Sequence, residues 1–294
     1  MKNQKKSYLY AAITVTLWST IASASKFTLG YLAPVELLFI ASLVSCCLLF
    51  VFIIYQKKLG ELKELKKDDW FVAVKFGFLN PFLYYLLLFK AYDILPAQQA
   101  QIINYTWAIT LTLLSIPLLG HRVGKGQWLA ILVSYCGVLV IATRGNIFSM
   151  HFVRPLGVCL ALASTVVWAL YWILNARDGR DPVIGLFANF LCALPFIACY
   201  LVVTRGVRPF VLPGVAGAVY IGFCEMGVAF ILWLKAMKLT NNTAKIANMI
   251  FIAPFGSLVL IHFWLGEEIY FSTLVGLIFV VAGLVIQSAC GDGK

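Results

Sequence analysis

Charge is what this chain of 294 residues has least of: 12% of it is Asp, Glu, Lys or Arg, where a soluble domain carries about a quarter. With 62% hydrophobic residues and a mean hydropathy of +0.92, it has more apolar surface than a core of this size can hide. That excludes a soluble globular protein and sends the surplus to lipid. Acidic residues are scarcer still, 12 against 23 Lys and Arg, for a net charge of +11. The basic residues sit in short gaps between apolar runs and build no continuous face for a phosphate backbone. They read as loop charge that orients a membrane protein, with no nucleic-acid partner. No GxxxxGK[ST] phosphate loop, GxSxG elbow or HExxH pair is present, so neither ATP hydrolysis in the usual way nor a familiar hydrolase is expected. The eight cysteines make no CxxC pair and lie inside or at the ends of apolar runs. They read as small packing residues, with no metal, disulfide or cofactor expected.

What is there is a series of long apolar runs. A helix needs about 20 residues to cross the hydrocarbon core. Breaks at charge, Pro and Gly place spans near 8–30, 34–55, 70–90, 97–118, 126–143, 155–176, 183–204, 213–235, 244–265 and 271–289. The first run follows Lys2, Lys5 and Lys6 but is too long for a signal peptide, and it reads as a retained span. The connections are too short to build a soluble domain. With ten spans both termini share a side. An inner N-terminus puts 17 of the 23 basic residues inside, leaving Lys26, Lys90, Arg144, Arg154, Arg205 and Arg208 outside. That bias predicts an integral protein of a bacterial cytoplasmic membrane, N-in and C-in.

The halves repeat. Gly77-Phe78-Leu79-Asn80 and Lys90-Ala91 return 145 positions later as Gly222-Phe223-Cys224-Glu225 and Lys235-Ala236, with Leu87 on Leu232. One residue further in offset, Gly120 falls on Gly266 and Gly137 on Gly283, and Trp18 has a counterpart in Trp168. The expected fold is therefore all-α and polytopic. Ten transmembrane helices form two five-helix repeats, 8–143 and 155–289, and the odd number per repeat inverts the second against the first. Alternating access follows from such an arrangement; duplication kept for packing alone is the alternative.

This pattern resembles the drug/metabolite transporter superfamily, in its EamA-type ten-helix members. The run Asn248 to Pro254, then Gly266-Glu267-Glu268-Ile269, then Gly276 and Ala282-Gly283 is similar to that family's membrane-embedded proline, Gly-Glu and Gly-rich fifth helix. The first half departs from it, with His121 where the Glu would be and Ala108 where the Pro would be, so whatever that Glu does in relatives falls to Glu267 here. The resemblance implies export or exchange of small metabolites, often amino acids.

Several residues stand out as carriers of transport. Glu225 lies halfway along the eighth run, where a carboxylate is costly unless protonated, paired or hydrated. It reads as a proton-coupling group or the partner of a cationic substrate group, or else as a neutral structural carboxyl. Asn80 is its polar counterpart at the same depth, and the two are expected to face one cavity. Gln98, Gln101 and Tyr105 follow one helical face of the fourth run, with Asn248 at the matching entry of the ninth. They line a cavity or join helices by hydrogen bonds. Trp18, Trp168, Tyr171 and Asn175 make either an aromatic wall for substrate or core packing. Lys26 and Glu36 bracket one outer turn, where they read either as a gate that opens when the outer face parts or, the favoured reading, as an exposed ion pair of little value, and His262 reads as a helix-packing donor. The expected partners are a small-molecule substrate, the bilayer, and protons or an exchanged solute. A passive channel and an intramembrane enzyme are the competing classes. The first favours a continuous polar stripe and the second a nucleophile–base pair that Glu225 alone does not supply.

Overall fold

The structure, a computed structural model, describes residues 3–120, 124–149, 154–205, 211–241, 246 and 249–291. Every regular element among them is helical. The main rods are α1 (Gln4–Leu29), α2 (Pro34–Tyr55), α3 (Lys67–Ile94), α4 (Ala97–Leu119), α5 (Lys125–Ala142), α6 (Pro155–Asn175), α7 (Pro182–Arg205), α8 (Leu212–Leu239), α9 (Met249–Leu265) and α10 (Phe271–Gly291). Eight of these, all but α1 and α9, are long and apolar enough to cross a bilayer. The described part of α9, Met249–Leu265, falls short by that measure. The 26-residue α1 is long enough, but its mean hydropathy is lowered by serines and threonines. Its interior place explains them: Ser7 donates to the Ala236 carbonyl at 2.7 Å and Ser19 to that of Ala253 at 3.2 Å, so the polarity of α1 is spent on neighbouring helices. Lipid-facing positions elsewhere carry bare hydrocarbon, as at Leu132, Val202, Phe263 and Ile278, all more than 60% exposed.

Local signals set the helix ends. Pro155 and Pro213 stand in the first turns of α6 and α8, where the missing N–H costs nothing. Glu36 Oε2 accepts the Ala33 N–H at 2.8 Å and caps the start of α2. The helices α4 and α9 both end on a glycine in the left-handed region, Gly120 at φ +68° and Gly266 at φ +67°, a turn that a side chain would strain.

Packing is regular in a way that links the halves. The helix α1 packs on α8 and α9; α6 packs on α3 and α4; α2 meets α7 and α8; α7 meets α3; α5 meets α10. Exchanging α1–α5 for α6–α10 in order leaves this set of partners unchanged. The close approaches agree. A Cβ on Gly77 would land on the Asn189 carbonyl of α7, and one on Gly222 on the Ala41 carbonyl of α2. Each of α3 and α8 also loosens into a π-helical turn midway, at Phe78–Leu83 and Cys224–Ala229. In the first, Pro81 removes a ladder donor and Asn80 leaves helical geometry altogether (φ −143°, ψ 117°). Such turns recur at functional sites.

Candidate functional site

The π turn of α8 holds Glu225, which is 8% exposed. Its Oε1 accepts the Tyr85 hydroxyl of α3 at 3.3 Å, while Oε2 is buried with no partner. Both residues line a cavity of about 990 Å³, at the upper end of the range for small-molecule sites. The cavity runs from this carboxylate to Gln127, Arg177 and Met237, at one end of α5, α6 and α8. Its wall is aromatic. Tyr84 stacks on Trp168 with ring centroids 4.4 Å apart and meets Tyr85 edge-on at 4.7 Å. Trp18 packs on Trp233 at 5.2 Å, and Trp18 and Trp168 both abut Phe230, at 6.2 and 6.3 Å. A second polar chain starts on the same wall, where Asn104 also lines the cavity: Tyr84 donates to Asn104 Oδ1 at 3.3 Å, and Asn104 Nδ2 to Ser164 at 3.0 Å.

Opposite the mouth the cavity is sealed. Lys26 at the end of α1 donates to the carbonyls of Tyr92 and Leu95, each at 2.8 Å, and of Asp93 at 3.4 Å. Its ammonium thus serves the frayed end of α3, in place of the expected pairing with Glu36, whose carboxylate caps its own helix. Glu267 Oε1 accepts the Ala97 N–H at 3.0 Å and so caps α4 from the α9–α10 turn. Gln98 is threaded beside it, donating to the Glu268 carbonyl at 2.8 Å and accepting the Tyr270 N–H at 3.2 Å. His262 Nδ1 lies 3.1 Å from the Glu267 carbonyl.

The other end carries ion pairs. Arg180 holds Asp178 bidentately (Nε–Oδ1 2.9 Å, Nη2–Oδ2 2.7 Å) and reaches the Asp69 carbonyl and Asn189 Oδ1, at 3.2 and 3.1 Å. Lys58 pairs with Asp181. Burial pushes both carboxyls up, but hydrogen bonds from Arg180 to Asp178, and from Lys58, Ile184 and Val183 to Asp181, outweigh it and hold both below the usual carboxylate range.

Of the residues singled out from the sequence, Glu225, Trp18, Trp168, Gln101 and Tyr105 line the one cavity. Gln101 also accepts the Ser257 hydroxyl at 2.5 Å. Gln98 belongs to the seal. Tyr171 stacks behind Trp168 at 5.7 Å, and Asn175 ends α6; neither is among the lining residues. Asn80 is fully buried beside Tyr171 and is not among the residues that line the cavity, so it does not face Glu225 across it. The two π turns are related by 146 residues and the local sequence match by 145, so Asn80 is the third residue of its turn and Glu225 the second. One residue is about 100° of helix, which turns them to different faces. Asn248 lies outside the described residues. Tyr84 and Tyr85 were not singled out, and their one signal is a polar pair just past Pro81 in an apolar run.

The EamA-like transporter family model matches this chain twice, over residues 5–143 and 155–289. An uncharacterized transporter of Clostridium kluyveri is 26% identical over 96% of this chain and 93% of its own length. The aromatic amino acid exporter YddG of Ancylobacter novellus is 26% identical over 80% of this chain and 81% of its own. A crystal structure 19% identical in sequence superposes over 99% of this chain and 100% of that one with a TM-score of 0.68, so the fold is shared.

Proposed function

The chain belongs to the EamA-like transporter family, and from that premise we propose that it is a secondary carrier, working by alternating access, for small metabolites of the amino-acid or related amine class. It is an integral membrane protein, and the reading places it in a bacterial cytoplasmic membrane with both termini inside. Ten spans in two inverted repeats, 8–143 and 155–289, make up the carrier; α1 crosses with its polar groups bonded to neighbouring helices, and α9 crosses with Val259, Phe263 and Trp264 exposed to lipid. The unchanged set of helix partners when the halves are exchanged supports this.

The observation that carries the proposal is that α1 packs on α8 and α9, and α6 on α3 and α4, with the cavity between these two groups. Each group joins the first helix of one half to helices of the other, so the two move as bodies while the site stays put. The Lys26, Glu267 and Gln98 bonds run from one body to the other on the closed side. On the open side Gln127, Arg177 and Met237 flank the mouth, the side that carries most of the basic residues. The state is inward-facing. Glu225 then alternates between a proton and the substrate's cationic group, which couples export to proton entry.

Counterflow in liposomes tests this. A carrier loaded on one side accelerates entry of labelled substrate and saturates; a channel does neither. Flux that rises linearly with concentration, without trans-acceleration, overturns the carrier reading.

A further inference from the structure

Glu225 is buried with one oxygen bonded to Tyr85 and the other, Oε2, bonded to nothing. Among the described residues that line the cavity, one other carries charge, Arg177. It is exposed just past the end of α6, more than two helical turns beyond Trp168, whose ring lies level with Tyr84. The deep site therefore holds a carboxylate, a wall of π faces and neutral hydroxyl or amide groups. We infer that the substrate bound there is an organic cation: an ammonium group on an aromatic or apolar body, with no free carboxylate beside the amine. The inference rests on the carrier reading and narrows its substrate class.

The chemistry selects against an α-amino acid. With its ammonium on Glu225 Oε2, such a zwitterion holds its own carboxylate roughly 5 Å from that of Glu225. At an effective dielectric of about 20 the repulsion corresponds to a loss on the order of 100-fold in affinity, before the cost of burying a second anion that Arg177 is too far away to pair. The ammonium is favoured twice, by the unpaired Oε2 and by the faces of Tyr84, Tyr85 and Trp168, since cations lie well over electron-rich rings. The body of the substrate then fills the apolar volume between Trp168 and Trp18, where Phe230 touches both. Neutral donors such as the Trp107 and Trp172 indoles suit a carbonyl, ether or ring nitrogen better than a full negative charge. An ester or amide in place of the carboxylate is therefore accepted.

Equilibrium binding to the purified full-length protein, by calorimetry, tests this with four probes: tryptamine, tryptophan, tryptophan methyl ester and 3-methylindole. Tryptamine and the ester are expected to bind within about fivefold of each other and about 100-fold tighter than tryptophan, and 3-methylindole at least tenfold weaker than tryptamine. Glu225→Gln is expected to collapse the whole series to within a few-fold. Tryptophan binding as tightly as tryptamine, or 3-methylindole binding as tightly, overturns the inference in the unaltered protein, whatever the variant does. Counterflow run beside it separates the failures. Saturable counterflow of tryptophan with none of tryptamine sinks the cation assignment and leaves the carrier, whereas saturable binding of tryptamine without trans-acceleration sinks the carrier and leaves the site.

Discussion

Gln98→Ala offers a direct handle on alternation, because Gln98 ties α4 to the α9–α10 turn, and so one body to the other. The substitution removes the bonds to the Glu268 carbonyl (2.8 Å) and from the Tyr270 N–H (3.2 Å); the contact to Glu267 Oε2, at 3.5 Å, is long enough to neglect. At about 1 kcal/mol net per bond the closed seal loses about 2 kcal/mol. When the seal opens, the same groups meet water, so the open state loses nothing comparable. The ratio of outward- to inward-facing protein rises about 30-fold. Hydrogen exchange measured by mass spectrometry reads both sides at once. Exchange is expected to quicken at 94–98 and 268–272 and, if the bodies move as units as proposed, to slow at the far mouth, at 124–128 and 173–178. Faster exchange at the seal with an unaltered mouth refutes the coupling of the two sides, and no change at either refutes the energy assigned to the seal.

Three further expectations follow from named contacts. Glu225→Gln keeps an acceptor for Tyr85 but cannot carry a proton; with one-for-one exchange each pH unit across the membrane sustains a tenfold substrate gradient in the parent protein and none in the variant, measured by accumulation in liposomes with an imposed pH step. Asp181→Asn lowers the melting temperature near neutral pH. The carboxyl is held below its ordinary value in the folded state, so the stability it adds is full above pH about 4 and fades as pH falls through the lower folded value; the gap between the two melting curves should therefore close as the pH is taken down into acid, and a pH-independent gap contradicts the ion pair with Lys58. Gly222→Ala drives a methyl into the Ala41 carbonyl and should cost about 1–3 kcal/mol; an unshifted melting temperature would mean that α2 and α8 do not touch there.

How much was legible in the sequence depended on whether a residue's meaning was local. Span ends were, because Pro34, Pro155, Gly120 and Gly266 act on their own turns: expected spans 34–55, 97–118 and 155–176 stand as Pro34–Tyr55, Ala97–Leu119 and Pro155–Asn175. Glu225 was, since a carboxylate in an apolar run is conspicuous whatever surrounds it. Its partner was not. Tyr85 lies 140 residues away, and a tyrosine in an apolar helix is ordinary. Gln98 shared a helical face with Gln101 and Tyr105, yet the α9–α10 turn claims it, and nothing within α4 announces that. Asn80 was misread because self-similarity was followed at an offset of 145, while the π turns, which decide facing, are set at 146.

The placement of polarity suggests why a chain so poor in charge keeps the charges it has. Polar bonds between the two bodies include the backbone groups met by Lys26, Glu267 and Gln98 at the seal and the Gln101–Ser257 and Glu225–Tyr85 contacts deeper in, with apolar packing around them. Among the described residues none of the polar ones is a buried ion pair, whose rupture would leave an unmatched charge in a low dielectric. The ion pairs among the described residues stay on one side of the cavity each: Lys58 with Asp181 and Arg180 with Asp178 at the mouth-side ends of α2, α3, α6 and α7, the second nearly buried, and Lys90 with Asp93 within the last turn of α3. There they fix loops without crossing the cavity. A seal made of carbonyls and N–H groups opens at little cost, because water replaces each bond as it breaks, and it closes without a geometric trap. In the proposed cycle the charge that changes partners, Glu225, sits where both bodies meet. Its Oε2, bonded to nothing, would take a substrate on one stroke and a proton on the other, so that the step proposed to move the bodies is also the step at which the exchange is made.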